Sequence, residues 1–438
     1  MNLMDTKVFR EIETEKFRSI MIVSIVAVTV SLMIGMRASY PMIMETYKAN
    51  MLAQNVADGR FTFTAPVLEN NISIIEGDTA FLDENNIDRI EGRVIIQTNI
   101  FYNGDKFQAI IIGVDFPNKI NQLNIEQASS NIDIETNFLK SNPYCIMESR
   151  FAGDLLGQNI ALGEKIKIDL FGTEIESEIK AIGSDVDFLY VVDPASQMTL
   201  MGQMAVVWVD IGLLQKYLFG GMPLVNQILF TVEDRLNRQM TLDAADELSL
   251  RFATNGIDIS AMEFTIFDET IDRKFFDADA GSIDKMGTIF GIIGLIVCAV
   301  AIFNSLSRIV QGQRRNIGLF MSLGAKRQKI IGHYLKITMI LAGIGAVIGM
   351  PLGYLLSVGM TRMVVRLYAL SVFAYPITIS EYLINTAVCL GVCAVFSVIS
   401  AWPITTATPR EAMSAFFNRI KVTRSEERRV GKECRSRW

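Results

Sequence analysis

Histidine is almost missing from this chain: among 438 residues there is one, His333. A Ser-His or Cys-His pair needs an imidazole to take the nucleophile's proton, so such chemistry is excluded wherever His333 cannot reach. H-E-x-x-H and G-x-S-x-G are absent, which removes the zinc-peptidase and nucleophile-elbow readings. G-x-x-x-x-G-K-[ST] is absent too, so ATP is not held by a loop of that kind. No carboxylates fall at D-x-D-x-D-G spacing, and calcium is not expected. One S-x-x-K match, Ser282-Ile283-Asp284-Lys285, stands without companion motifs. No catalytic residue, cofactor or metal is expected, and the chain is not expected to be an enzyme.

Cysteine is scarce, with five in all. Cys145 is alone in the long polar segment 37–285, so that segment has no internal disulfide. Cys298, Cys389 and Cys393 lie in apolar runs, and Cys389 and Cys393 share a helix face at i, i+4. There they read as small packing groups rather than metal ligands.

Long apolar runs are what the chain has. Four stretches carry no charged residue: 19–36, 286–307, 337–361 and 382–409. A membrane-spanning helix needs about 20 apolar residues. Transmembrane helices are expected at 19–36, 286–307, 337–361 and 382–403. The first run is too long for a signal-peptide core and lacks a small-residue cleavage site after it, so a retained anchor is expected.

Charge sorts the segments between the spans. Segment 37–285 has 19 Lys and Arg against 38 Asp and Glu, 19 − 38 = −19, which argues against nucleic acid as a partner. Loop 308–336 has seven Lys or Arg and no Asp or Glu. A short loop of that bias stays cytoplasmic. The expected orientation follows: amino terminus inside, 37–285 outside, 308–336 inside, 362–381 outside, 404–423 inside. Residues 1–18 are expected to form an amphipathic segment along the cytoplasmic membrane surface. Tyr368, Phe373 and Tyr375 in 362–381 suit a membrane interface.

The last fifteen residues, 424–438, read RSEERRVGKECRSRW. They resemble a one-frame translation of a sequencing adapter beginning AGATCGGAAGAGC, so Thr423 is the last trustworthy residue of this sequence, and the native chain can continue past it.

Within 37–285 the pattern is α+β. Residues 37–55 are expected to continue the first span as a helix. Strands are expected at 61–64, 93–102, 106–115, 144–147, 164–170, 174–182, 205–209, 227–232 and 262–267. Asn103-Gly104-Asp105 is a strong hairpin signal. Helices are expected at 148–156, 211–219, 235–255 and 270–285, the last feeding into the second span. In the third run, Gly345, Gly349 and Gly353 repeat every fourth residue, which lets another helix approach closely.

In the basic loop, Ile317, Phe320, Met321 and Gly324 recur at helical spacing between clusters of Arg and Lys. That is an amphipathic helix, which can rest on anionic lipid or dock into a partner. Gln313-Arg314-Arg315-Asn316-Ile317-Gly318, then Ser322-Leu323-Gly324-Ala325-Lys326-Arg327-Gln328-Lys329-Ile330, resembles the signature of FtsX-like permeases, close to RRREIG then ALGA. Asn316 replaces the usual acidic residue and Ser322 the usual alanine. Cys145-Ile146-Met147-Glu148 with Leu162-Gly163-Glu164, and the passage from Val206 to Ile228, resemble MacB-type periplasmic core domains.

The resemblance implies one span, a large α+β extracytoplasmic domain and three further spans. It implies a permease subunit of an FtsX/MacB-type ABC transporter in the cell (inner or cytoplasmic) membrane. Its partners would be a separate ATPase subunit that binds ATP, a second permease in a homodimer or heterodimer, and membrane lipid. Arg314, Arg315, Ile317, Gly318, Leu323, Gly324, Ala325 and Arg327 would be the ATPase-coupling segment. Export or extrusion by mechanotransmission is the expected activity. A non-transporting signalling complex acting on an external cell-wall hydrolase or sensor is an alternative, and so is one half of a longer duplicated permease.

Overall fold

The computed structural model describes residues 15–141, 143–153, 157–192, 202–260, 262–377 and 379–406. The amphipathic segment expected at 1–18 lies mostly outside these residues, as do most of 404–423 and all of 424–438. The chain forms two units. One is helical and takes the chain up to Ala38, Met286–Leu356 and the part from Thr378 on. The other is α/β and takes Ser39–Lys285 and Ser357–Ile377.

The helical unit contains α1 (Lys16–Arg37). The α/β unit opens with α2 (Ser39–Ala53) and β1 (Gly59–Leu68), then two short helices, α3 (Glu69–Glu76) and α4 (Thr79–Glu84). Next come β2 (Ile87–Tyr102), β3 (Asp105–Val114), β4 (Asn124–Ala128), β5 (Tyr144–Glu148) and α5 (Ser149–Ala152). After them lie β6 (Lys165–Leu170), β7 (Thr173–Ser184), β8 (Ala205–Asp210), α6 (Ile211–Leu218), β9 (Leu224–Val232), α7 (Arg238–Thr254) and β10 (Met262–Ile266). The last described elements are α8 (Ile271–Gly312), α9 (Arg314–Ser322), α10 (Arg327–Leu367) and α11 (Ile379–Thr406).

The strands form one mixed ten-stranded sheet in the order β10-β1-β9-β2-β3-β8-β5-β7-β4, with β6 pairing β2 and β7. β3 runs parallel to β8, and β5 to β7. The long β2 joins the two halves: Ile87–Arg93 pairs with β9, and Val94–Tyr102 pairs with β3. Two hairpins turn on two residues each. Asn103 and Gly104 have φ of 51° and 93°, and Phe171 and Gly172 have 51° and 99°. Positive φ at both central positions matches the twist of the flanking strands.

Alternation along the central strands buries both faces. Ala109 and Ile111 of β3, Cys145 and Met147 of β5, and Ala205, Val207 and Val209 of β8 enter one core with Phe61, Phe230 and Phe252. Their neighbours Ile112, Ile146, Val206 and Trp208 enter a second core with Phe116 and Phe138. A period of two in a strand covered on both faces reads as a continuous apolar run. Each fully buried Val, Ile, Met or Phe among them stabilises by roughly 1.5–3 kcal/mol.

Some elements depart from expectation. The helix expected at 148–156 is only α5, four residues long, and Gly153 leaves it extended. Residues 154–156 lie outside the described set. β4, α3 and α4 are additional. Tyr368, read as an interface aromatic, is buried in the α/β unit with Tyr47, Tyr190 and Phe276. Tyr375 is half exposed, its ring centroid 4.1 Å from that of Phe373.

Among the described residues, four helices are long and apolar enough to cross a membrane: one in the amino-terminal part and α8, α10 and α11. α1 presents Ile22, Val26, Val30 and Ile34 to a core with Cys298, Ile302 and Leu306 of α8, Leu341 and Ala346 of α10, and Cys389 and Cys393 of α11. Thr338 and Ser397 join α10 to α11 through hydroxyls 3.0 Å apart. Outward faces carry Ile289, Ile296, Val347, Leu355, Leu383 and Val395. Such surfaces are apolar on both sides of the helix, as a span requires.

Candidate coupling site

The segment between the second and third spans folds as α9. Its start is held by a side chain: Tyr334 of α10 donates its hydroxyl to Gln313 Oε1 at 2.8 Å. The amphipathic pattern resolves into two faces. Ile317 is 3 % exposed and packs with Ile309, Val310, Ile330, Tyr334 and Ile337. Gly318 is buried beside it. Arg315, Phe320, Lys326 and Arg327 face outward, and Arg314 and Ala325 are intermediate.

Leu323 is 76 % exposed at the end of the helix. Gly324 follows with φ +86°, a left-handed conformation that costs an L side chain roughly 1–2 kcal/mol. It stops α9 and sends the chain into α10. Gly324 N–H and Ala325 N–H donate to Met321 O and Phe320 O, which satisfies carbonyls at the helix end. The eight residues singled out by sequence thus form one elbow: Ile317 and Gly318 turned inward, Arg315, Leu323 and Arg327 turned out, and Arg314 and Ala325 between.

Gly345, Gly349 and Gly353 face α1. A Cβ at Gly345 would stand 2.8 Å from Val23 O, one at Gly349 2.7 Å from Ala27 O, and one at Gly353 2.8 Å from Ile34 Cβ. α1 carries a second close contact that hydropathy passes over. A Cβ at Gly287 would stand 3.1 Å from Met36 Cβ, and one at Gly291 3.4 Å from Met33 Cγ. The readable signal is the Gly-x-x-x-Gly spacing at 287 and 291.

The α/β unit holds a polar hub of its own, built on the segment 184–190 after β7. Val186 N–H donates to Gln54 Oε1 at 2.8 Å. Ser184 Oγ donates to Ala369 O at 2.8 Å. Tyr190 N–H donates to Asp272 Oδ1 at 2.9 Å. The hydroxyls of Tyr190 and Tyr368 contact each other, and both reach Asp279 Oδ2. Burial, then Asp279 and Tyr368, push the Tyr190 hydroxyl above its ordinary range. Burial likewise pushes Tyr368 up to about 12. Both phenols therefore stay protonated donors at neutral pH. Three segments that lead to spans, namely α2, the start of α8 and the end of α10, are thus joined through one loop.

Two aspartates of this loop are buried. Asp187 meets Arg93 at 2.9 Å and also pairs with Arg60. Burial opposes its charge, but the two guanidiniums outweigh burial and hold it below the usual carboxylate range. Asp185 accepts from Asp187 N–H at 2.8 Å. Burial and the neighbouring Asp187 push it up to about 7.

The hub has a sequence signal in α2. Thr46 and Asn50 of α2 and Gln54 just past its end recur every four residues, and all three are buried. A polar stripe on a buried face has to find partners.

Residues 288–409 match the family described as FtsX-like permease C-terminal. Over 190 residues the chain is 25 % identical to the macrolide export ATP-binding/permease protein MacB of Nitrobacter winogradskyi, covering 43 % of this chain and 27 % of that protein. The chain therefore spans well under half the length of this relative. Two solved structures are similar at 12 % identity. One is the extracellular domain of the noncanonic ABC-type transporter YknZ from Gram-positive bacteria, with TM-score 0.31 over 47 % of this chain and 98 % of that one. The other is the periplasmic region of MacB from Actinobacillus actinomycetemcomitans, with TM-score 0.32 over 54 % and 97 %. With four apolar helices among the described residues, one before and three after an α+β unit in chain order, the chain is a multi-pass membrane protein that carries an FtsX-like permease C-terminal domain at residues 288–409.

Proposed function

We propose that this chain is the membrane permease subunit of an FtsX/MacB-type ABC system, driven by an ATPase on a separate polypeptide. The basic elbow faces the cytoplasm and the α/β unit lies outside the cell membrane. The permease works as a homodimer or heterodimer. The observation that carries this reading is the elbow itself: an exposed Leu323 among exposed basic residues, on a helix whose other face is locked by Ile317. An apolar knob ringed by cations fits an acidic groove on a partner.

Force then has a covalent route. α9 follows α8 directly, and α8 begins at Ile271, one residue before the Asp272 that holds Tyr190 N–H. A tilt of α8 driven at α9 would pull on the loop 184–190, and through Gln54 and Ala369 on the other two segments. Work would be delivered to the α/β unit without substrate passing between the spans. This is mechanotransmission, used for export or for extrusion of lipoprotein, lipid or peptide.

The test is Arg314→Glu with Arg315→Glu in the full chain, co-expressed with its partner ATPase. Expected is normal membrane insertion with loss of ATPase co-purification and of its stimulation. Unchanged co-purification and stimulation would remove the elbow from the coupling role.

A further inference from the structure

Among the described residues, three cysteines converge apart from the elbow and the hub. Cys298 of α8 and Cys389 and Cys393 of α11 converge inside the helical unit, and all three are fully buried. Their sulfurs lie within 4.8 Å of one another. Cys298 Sγ and Cys393 Sγ are 3.9 Å apart. The i, i+4 pair on α11 was readable in sequence; the third sulfur, from a helix some ninety residues earlier, was not. Thr29 of α1 reaches the same layer, its hydroxyl donating to Gly294 O one turn before Cys298.

Small side chains also fill helix interfaces, and two cysteines would be unremarkable as packing. Three sulfurs converging from two helices form a donor set. A metal–sulfur bond is about 2.3 Å, so three sulfurs in a plane around one ion stand about 4 Å apart. One pair is already at that separation, and the others close it by less than 1 Å, within a side-chain rotation.

The donor type narrows the ion. Thiolates select soft cations, whereas magnesium and calcium need oxygen ligands. Structural zinc takes four ligands. Among the described residues no histidine or carboxylate joins these three. Three sulfurs alone, shielded from water, suit a monovalent d10 ion.

We propose that Cys298, Cys389 and Cys393 form a three-sulfur site for Cu(I) inside the helical unit, joining α8 to α11. Cu(I) enters as a cation, two thiols lose their protons to solvent, and the third sulfur binds as a neutral thiol. Two protons leave for each ion bound, no electron is exchanged, and the buried complex carries one negative charge. A third deprotonation would bury a second charge at much greater cost. The bound ion fixes the separation of the second and fourth spans.

The experiment uses the full chain in detergent micelles, reduced and anaerobic. Cu(I) is added as its acetonitrile complex and competed with bathocuproine disulfonate. The starting protein carries Cys145→Ser and Cys434→Ser, so that only the three site cysteines remain. Expected is one Cu(I) retained per chain, with copper-edge absorption showing three sulfur neighbours. Cys298→Ser and Cys393→Ser should each weaken retention by roughly tenfold or more. Failure of this protein to hold Cu(I) against the chelator overturns the site without recourse to further variants. Two sulfur neighbours instead of three, or retention unchanged in Cys298→Ser, also overturns it.

Discussion

Asn50 and Val372 exchange two hydrogen bonds. Asn50 Nδ2 donates to Val372 O at 2.7 Å, and Val372 N–H donates back to Asn50 Oδ1 at 2.9 Å. A carboxamide thus does for one residue what a neighbouring strand does for a ladder. The same Oδ1 also takes Ser371 N–H at 2.9 Å and Ser371 Oγ at 3.1 Å. Four residues earlier on α2, Thr46 Oγ1 accepts from Ala374 N–H at 3.2 Å. The segment after α10 is therefore fastened along α2 by two side chains.

Asn50→Ala should strand several donors at once. Each buried donor left unpaired costs about 1–3 kcal/mol, and part of the loss is recovered as the segment loosens toward water. The expected outcome is faster amide exchange across residues 369–377, with Asn50→Asp intermediate because it keeps the accepting oxygen. Wild-type exchange at Ser371 and Val372 in Asn50→Ala would show that Asn50 does not hold the segment.

Ile317 and Leu323 should separate stability from coupling. Ile317 is buried among five apolar residues of α8 and α10, so Ile317→Ala should destabilise the helical unit by about 2–4 kcal/mol. Leu323 is exposed, so Leu323→Asp should leave thermal stability within about 0.5 kcal/mol of wild type. Under the coupling reading, Leu323→Asp abolishes ATPase binding in pull-down. Retained binding would mean that the exposed leucine serves lipid instead.

The order of the elements was largely legible because short-range chemistry dictates it. Asn103-Gly104 needs two positive φ angles, which those residues adopt most readily, and the strands on either side follow. Apolar runs of span length have one stable outcome. What sequence did not reveal depends on partners far along the chain. β4 is five residues with little alternation, and it exists because β7 offers an edge. Tyr368 has the composition of an interface aromatic, yet its hydroxyl is buried because Tyr190 and Asp279 are there to meet it. The Thr46-Asn50-Gln54 spacing was passed over, because its partners lie in loops more than a hundred residues away. For the elbow, the residue types were readable, and which side faced inward was set by Ile330 and Tyr334 of the following helix.

Asp185 should make the α/β unit less stable as pH rises. Its folded value of about 7 lies above the ordinary 3.8. Its stabilising contribution is therefore full below about pH 3.8 and is lost as pH rises through about 7. Asp187 acts in the opposite sense: its value is depressed, so its contribution is present above pH 3.8 and is lost as pH falls through the folded value. Asp185→Asn keeps an oxygen for Asp187 N–H and removes the charge. Melting curves from pH 4 to 8 should fall with pH in wild type and fall less in Asp185→Asn, with the two diverging most above pH 7. Parallel curves would mean that Asp185 stays ionised in the folded state.

Gly349 and Gly343 sit on the same helix and should respond oppositely to one methyl group. A Cβ at Gly349 would stand 2.7 Å from Ala27 O and 2.9 Å from Val30 Cβ, atoms of α1 that cannot swing aside. A Cβ at Gly343 meets nothing within 4 Å. Both positions are interior to α10, where alanine favours a helix by about 0.8–1.0 kcal/mol over glycine. At Gly343 that preference is unopposed, so Gly343→Ala should be neutral or raise the melting midpoint in detergent. At Gly349 the two helices must separate, and overpacking of this kind costs about 1–3 kcal/mol. Gly349→Ala should therefore lower the midpoint despite the gain in helix preference, and Gly349→Leu should lower it further. Equal midpoints for Gly349→Ala and Gly343→Ala would show that α1 is not held against α10 at this spacing.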